Sequence, residues 1–260
     1  MELVASKERI VEFIRTKCEE AGCGGVVVGL SGGIDSSLVA YLSAEALGPE
    51  NVLGIHMPEL NVTPAEDVLD ATQVAGILGI EFKTIDISEI VESFLNNMPE
   101  GNPAESYANG NLKARIRMSI LYYYANLARY LVGGTGNKTE ILLGYYTKYG
   151  DGGVDIEPIG DLFKTEVRQM ADILDIPADI INKPPSAALY VGQTDEEDLG
   201  LPYDTIDRIL SLLLEGLDTN VVQSMVGVSA EEMHSLLVRI DSNLHKRKVP
   251  PIADLSDLRF

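Results

Sequence analysis

Apolar positions at Leu3, Ile10, Phe13 and Ile14 recur with a helical period, so residues 3–21 are expected to form an amphipathic helix. Gly22, Gly24 and Gly25 end it. The next run, Val26-Val27-Val28-Gly29-Leu30, is short, apolar and rich in β-branched residues, and it reads as a strand covered on both faces. After the turn Ser31-Gly32-Gly33, a helix is expected over 38–47, stopped by Gly48-Pro49, followed by a second strand over 52–57. Thr63-Pro64-Ala65-Glu66 reads as a helix start, with Thr63 as N-cap, Pro64 at the first position and Glu66 reaching back. That helix runs to about Gly79. A third strand follows over 80–87, a long helix over 111–131 and a fourth strand over 141–143. Beyond 165 the pattern turns helical, with segments at 165–175, 203–216 and 218–226. A last helix is capped by Ser229 and Glu232 and runs to about His245.

Strands alternating with helices at these spacings predict an α/β protein: a doubly wound parallel sheet with helices on both faces and a helical C-terminal part. No repeat or low-complexity linker interrupts the chain, so residues 1–260 are read as one domain. The acidic stretch Asp195-Glu196-Glu197-Asp198 is expected to be a solvated loop.

Composition narrows the function. Of 260 residues, 40 are Asp or Glu and 20 are Lys or Arg, a formal charge of -20, and such a field opposes binding to nucleic acid or an anionic membrane. The first residues lack the basic-then-apolar order of a signal peptide, and no apolar run is long enough to span a bilayer, so a cytoplasmic protein is expected. Cys18 and Cys23 are not spaced as a zinc or redox pair. His56 and His234 are read as structural or exposed, and Tyr122, Tyr123 and Tyr124 as packing residues.

The chemistry is expected in the loop Ser31-Gly32-Gly33-Ile34-Asp35-Ser36-Ser37, which joins a buried strand to a helix N-terminus. Free backbone N–H groups and the positive end of the helix dipole suit a phosphate there, and the glycines admit its oxygens. Neither Gly-Lys-Ser/Thr nor Gly-x-Gly-x-x-Gly is present, so the loop is neither a Walker A loop nor an ordinary dinucleotide fingerprint. An aspartate in a phosphate loop calls for a cation, and Mg²⁺ bound by carboxylate and phosphate oxygens supplies one. Glu140, expected just before the fourth strand, is the candidate second carboxylate.

Ser-Gly-Gly-x-Asp-Ser resembles the pyrophosphate loop of the N-type ATP pyrophosphatases, which have an adenine nucleotide alpha hydrolase-like fold and cleave ATP between its α- and β-phosphates. The segment Thr147-Lys148-Tyr149-Gly150-Asp151-Gly152-Gly153-Val154-Asp155 is more specific. It resembles a loop of the ammonia-dependent NAD synthetases and lies at that family's distance from Glu140. Lys164, Lys183-Pro184-Pro185-Ser186-Ala187, Asp195-Glu196-Glu197, Leu201-Pro202-Tyr203-Asp204 and His245-Lys246-Arg247 resemble further elements of the family in order. The resemblance runs from about residue 25 to 250. Thr135-Gly136-Asn137-Lys138-Thr139 is the archaeal-looking version of its stretch, and Ser186 stands where other members often have threonine.

That resemblance implies a carbon–nitrogen ligase completing NAD biosynthesis: ATP adenylates the nicotinate carboxylate of deamido-NAD, and ammonia displaces AMP. It implies that Gly29, Leu30, Ser31, Gly32, Gly33, Ile34, Asp35 and Ser36 hold the ATP phosphates, with Thr135, Lys164 and Ser186 also on ATP. Asp35 and Glu140 would bind Mg²⁺. Arg115, Lys148, Asp155, His245 and Lys246 would hold deamido-NAD, with Lys113 and Arg117 as neighbouring alternatives to Arg115. Asp151 would bind or deprotonate ammonium, and Lys164 would assist catalysis. It further implies a homodimer with the deamido-NAD site near the interface, and ammonia as nitrogen source, since the length leaves no room for a glutaminase domain. Two other readings compete: a GMP synthetase or tRNA-thiolating relative, disfavoured by the 147–155 loop, and a non-catalytic nucleotide sensor, which would need no pair of metal-binding carboxylates.

Charge distribution sharpens the picture. From Cys18 to Leu112, Lys83 is the one basic residue against 15 acidic ones, so backbone amides and Mg²⁺ must serve the phosphates. From Lys113 to Lys148, six basic residues face Glu140 alone, and these coincide with the segments assigned to the dinucleotide.

Overall fold

The strands β1 (Val26–Gly29), β2 (Val52–His56), β3 (Glu81–Thr84) and β4 (Leu131–Gly133) form one parallel sheet in the order β3-β2-β1-β4. They are seen in a computed structural model that describes residues 2–98, 107–186 and 192–255. The wholly apolar run of β1 has its explanation here: it is central, and successive residues face different cores. Val26 and Val28 pack with helices α1 (Leu3–Ala21), α2 (Ile34–Leu47) and α3 (Ala65–Leu78) on one face. Val27 packs with Leu53, Ile55 and Val132 against α4 (Ser88–Asn96) and α5 (Tyr107–Ala128) on the other. A doubly wound α/β fold results.

The chain leaves β1 toward β2 and β3, then returns after α5 to place β4 on the opposite side of β1. The loops leaving β1 and β4 therefore diverge at a topological switch point, where such sheets open a ligand crevice. Both candidate nucleotide segments, 29–36 and 134–140, begin there. The remaining helices are α6 (Lys138–Leu143), α7 (Lys164–Ile173), α8 (Ala178–Asn182), α9 (Asp195–Leu199), α10 (Tyr203–Leu214), α11 (Thr219–Val226) and α12 (Ala230–Ser242). α7 joins the α1–α2 layer, whereas α6, α10, α11 and α12 build a separate core around Leu143, Tyr203, Ile206 and Leu210. The capping box at Ser229 and Glu232 is formed as expected.

Four expectations need correction. Residues 141–143 belong to helix α6, and the fourth strand is Leu131–Gly133. An apolar triplet does not distinguish strand from helix, and the deciding signal was Asn137, whose side chain and that of Glu140 form a capping box. The long helix starts at Tyr107 and stops at Ala128, so Leu131 can enter the sheet. Thr63 does not cap α3, because its hydroxyl accepts the Glu59 N–H at 2.9 Å, and the helix begins two residues later. The stretch 195–198 is helix α9, with Asp195 buried.

Candidate active site

The loop after β1 is shaped from within. The Ser36 hydroxyl donates to the Gly33 carbonyl at 3.0 Å and accepts the Ser31 N–H at 3.1 Å. Ser37 Oγ donates to the same carbonyl at 2.8 Å. The hydroxyls therefore fix the loop, and the first N–H groups of α2 are left for a ligand. Gly32 has φ of 91°, and a Cβ there would meet the Asp67 carbonyl oxygen at 2.4 Å, so no other residue fits. Leu30 is fixed from below by the buried His56, whose Nδ1 bonds its carbonyl at 2.9 Å. Burial pushes the imidazole pKa down, which keeps it neutral, and the histidine has the structural placement expected of it.

Asp35 lies in the first turn of α2 and Glu140 in the first turn of α6. Both meet Lys164, the first residue of α7. Its Nζ is in direct contact with Asp35 and lies 3.8 Å from Glu140. Asn137 Nδ2 donates to Asp35 at 3.0 Å, so the residue that caps α6 also ties its start to the β1 loop. Burial and the neighbouring Asp35 push the Glu140 carboxyl well above its usual range. Burial disfavours the Lys164 charge, but Asp35 and Glu140 outweigh it and the ammonium is held more tightly than usual.

Two carboxylates sharing one cation suit a divalent ion, because its second charge would relieve their repulsion. Among the described residues, no group of three or more His, Cys, Asp or Glu is arranged to hold a metal. The pair alone supplies two carboxylates, a number that Mg²⁺ can use when phosphate oxygens complete its shell.

Lys164 has a further neighbour in a segment that the resemblance covers but to which it gives no role. Its Nζ lies 5.3 Å from the centre of the Tyr203 ring, and the Tyr203 hydroxyl donates to the buried Asp195 at 3.1 Å. Tyr145 donates to Asp195 and Asp198 at 3.2 and 2.8 Å. The helical C-terminal part thus forms one wall of the site. Spacing alone gave no sign of this, because four consecutive acids look solvated until a turn of helix points the first one inward.

The 147–155 loop sits beside this centre. Asp151 accepts the Thr147 N–H at 2.9 Å, and its surroundings raise its pKa through desolvation. A cavity of about 230 Å³ is lined by Thr135, Gly136, Glu140, Tyr146, Asp151 and Glu157, among others. It joins the expected ATP contact Thr135, the expected metal carboxylate Glu140 and the expected ammonium aspartate Asp151 in one space.

Four of the residues expected on the dinucleotide, Arg115, Lys148, His245 and Lys246, lie together, and Asp155 is held apart from them. Arg115 donates to the Lys148 carbonyl at 3.2 Å, and Lys148 Nζ donates to the His245 carbonyl at 2.8 Å. Lys246 donates to the carbonyls of Gly144 and Tyr146 at 2.6 and 2.7 Å. Arg115 and His245 are exposed, whereas Lys113 is buried against Glu59 at 2.7 Å and Arg117 Nε donates to Met57 at 3.0 Å. The alternatives to Arg115 are therefore engaged internally. Asp155 accepts from Tyr122 at 2.9 Å and from the Val132 N–H at 2.8 Å, which ties the loop to β4. Ser186 is exposed at the end of a segment anchored by Lys183, which pairs with Asp67 and Asp70 on α3. Ala187 of that motif lies outside the described residues.

A switch-point sheet with a glycine-rich anion loop and paired carboxylates defines an α/β nucleotide-binding protein with the adenine nucleotide alpha hydrolase-like fold. Comparison narrows this class. The NAD synthase family profile matches residues 6–250. The NH(3)-dependent NAD(+) synthetase of Methanococcoides burtonii is 58% identical over 259 residues, 100% of this chain and 98% of that protein. The NH3-dependent NAD synthetase of Campylobacter jejuni, solved with nitrate, superposes with a TM-score of 0.81 at 34% identity, covering 98% of this chain and 100% of that one. An NMN synthetase from Francisella tularensis superposes with a TM-score of 0.87 at 33% identity, with the same coverage. The chain belongs to the NAD synthase family.

Proposed function

We propose that this protein is an ammonia-dependent NAD synthetase that converts deamido-NAD, ATP and ammonia to NAD, AMP and pyrophosphate. The observation that carries the reading is the meeting of Asp35, Glu140 and Lys164 at the switch point, beside the cavity lined by Asp151. A carboxylate resists amidation because its leaving group would be oxide, and adenylation supplies AMP in its place. The chain's residues divide that work. The loop 29–36 and the α2 N-terminus hold the β- and γ-phosphates that leave as pyrophosphate. Thr135 and Ser186 hold the nucleotide, and Lys164 stays charged beside the phosphates and balances negative charge in the transition state. Asp35 and Glu140 would hold Mg²⁺, which supplies Lewis-acid neutralisation of the phosphates when bound. Arg115, Lys148, Asp155, His245 and Lys246 orient the dinucleotide, and Asp151 receives the nitrogen.

We take the chain as one catalytic domain working in the cytoplasm as a homodimer, with the dinucleotide site near the interface. The basic segment from Lys113 to Lys148 and the exposed Tyr107, Tyr123 and Leu127 of α5 support that placement. The high identity to a relative named NH(3)-dependent supports ammonia as nitrogen source. The likeness to an NMN synthetase makes the mononucleotide acid the competing substrate. The test is to supply deamido-NAD or nicotinate mononucleotide with ATP, Mg²⁺ and ammonium. NAD formed with equal AMP and pyrophosphate, at a kcat/KM well above that for the mononucleotide, supports the proposal. ADP and phosphate as products, or preference for the mononucleotide, would overturn it. Glutamine in place of ammonium should yield no NAD.

A further inference from the structure

Glu157 follows the substrate loop and has no part in the roles assigned above. Its carboxyl lines the cavity that also holds Asp151 and the 135–140 segment. One oxygen, Oε2, accepts the Gly136 N–H at 3.2 Å. No other hydrogen bond to this carboxyl is formed among the described residues. The backbone passes close to it: a Cβ built on Gly134 would lie 2.3 Å from Oε2. The adjoining Gly134 N–H donates to the Ile156 carbonyl at 2.7 Å, which holds the two segments in register. The charged or titratable groups around the cavity are Glu140 from α6, Asp151 and Tyr146 from the preceding loop, and Arg247 from the C-terminal turn.

Resting on the amidation reading above, we infer that Glu157 is a proton acceptor for the nitrogen substrate, taking a proton from ammonium held in the cavity between Thr135 and Asp151. Ammonium is mostly protonated near neutral pH and has no lone pair to attack with. Transfer of one N–H proton to the Glu157 carboxylate frees that pair. Nitrogen then bonds to the carbonyl carbon of the nicotinoyl adenylate. The tetrahedral adduct collapses, the carbon–oxygen bond to AMP breaks, and AMP leaves with that electron pair. Nitrogen sheds its second proton to solvent or Asp151, leaving the neutral amide. Burial, with Asp151 as a further like charge, pushes the Glu157 carboxyl up to about 8, a range suited to a base that must hold and then release a proton near neutrality.

The test separates the two half-reactions. Exchange of labelled pyrophosphate into ATP with deamido-NAD and no ammonium reports adenylation alone. In Glu157→Gln that exchange should persist while ammonium-dependent NAD synthesis falls about 100-fold or more, the usual worth of a positioned base. Hydroxylamine, largely neutral at the same pH, should restore acyl transfer in the variant to near the wild-type rate. Loss of exchange in parallel with turnover would show that Glu157 only shapes the Thr135 segment, and the proposal would fall. An unchanged ammonium rate, or no rescue by hydroxylamine, would also end it. The wild type carries the same comparison without substitution: kcat should rise through about pH 8 with saturating ammonium and stay flat with hydroxylamine. A flat ammonium profile overturns the assignment. If the wild type makes no NAD at all, the amidation reading itself has failed.

Discussion

At the scale of single residues, the site rests on a few charges, Lys164 buried and Asp35 and Glu140 half-buried. Asp35→Asn and Glu140→Gln each remove a carboxylate from the group sharing Lys164. Each is expected to lower pyrophosphate exchange by about 100-fold or more, the scale of one lost electrostatic stabiliser. Retention of exchange by both would refute the metal assignment. Tyr203→Phe tests the wall behind Lys164: it leaves Asp195 buried with one donor fewer and should cost about 1–3 kcal/mol in urea unfolding. Glu157 gives a pH test with a definite sign. Its folded pKa, about 8, lies above its unfolded value, so the folded state binds the extra proton. The stability gained in this way is present at low pH and lost as pH rises through about 8. Glu157→Gln lacks that dependence, so its melting temperature should gain on the wild type between pH 5 and pH 9 (~4 units spanning the titration). A gap that does not change with pH would contradict the assigned environment. Asp35, Glu140 and Lys164 could be picked out of the sequence because their motifs are local. The Asp195 segment was marked by the resemblance but expected to be solvated, and Glu157 was not marked at all, because their roles depend on which turn of helix or loop faces inward.

Elements decide whether those residues meet. Asn137 caps α6 and ties it to Asp35, so Asn137→Ala should cost about 1 kcal/mol and also weaken ATP use. Ser229 caps α12 in the same way, but its cap touches none of the site residues. Ser229→Ala should therefore cost a similar ~1 kcal/mol in urea unfolding with kcat unchanged. Equal effects of the two on activity would mean that α6 placement does not matter. The strands β1 and β2 and the helices α1, α10, α11 and α12 were legible in the sequence because their apolar period or caps are strong. The fourth strand was misplaced because Leu131–Gly133 is three residues long and follows the helix after only two, too short a stretch for any period to show. The sheet's switch point emerges only once β4 is found beside β1, and it explains why two distant glycine-rich segments converge.

At the scale of the molecule, 20 excess negative charges stand beside a site that must bind anions. In the proposed function, the α2 N-terminus and Lys164 would serve the phosphates against that field, and basic residues are concentrated between Lys113 and Lys148. Self-repulsion of the remaining surface should ease with salt, so the melting temperature is expected to rise between about 0.01 M and about 1 M ionic strength. A fall over that range would mean that attractive pairs dominate instead. The central claim is that ATP activates a carboxylate by adenylation before nitrogen attacks. It is tested most directly by supplying deamido-NAD with ¹⁸O in its nicotinate carboxylate, together with ATP, Mg²⁺ and ammonium, and analysing the products by mass spectrometry. One labelled oxygen should appear in AMP and none in pyrophosphate. NAD formed with unlabelled AMP, or label found in pyrophosphate or phosphate, would contradict it.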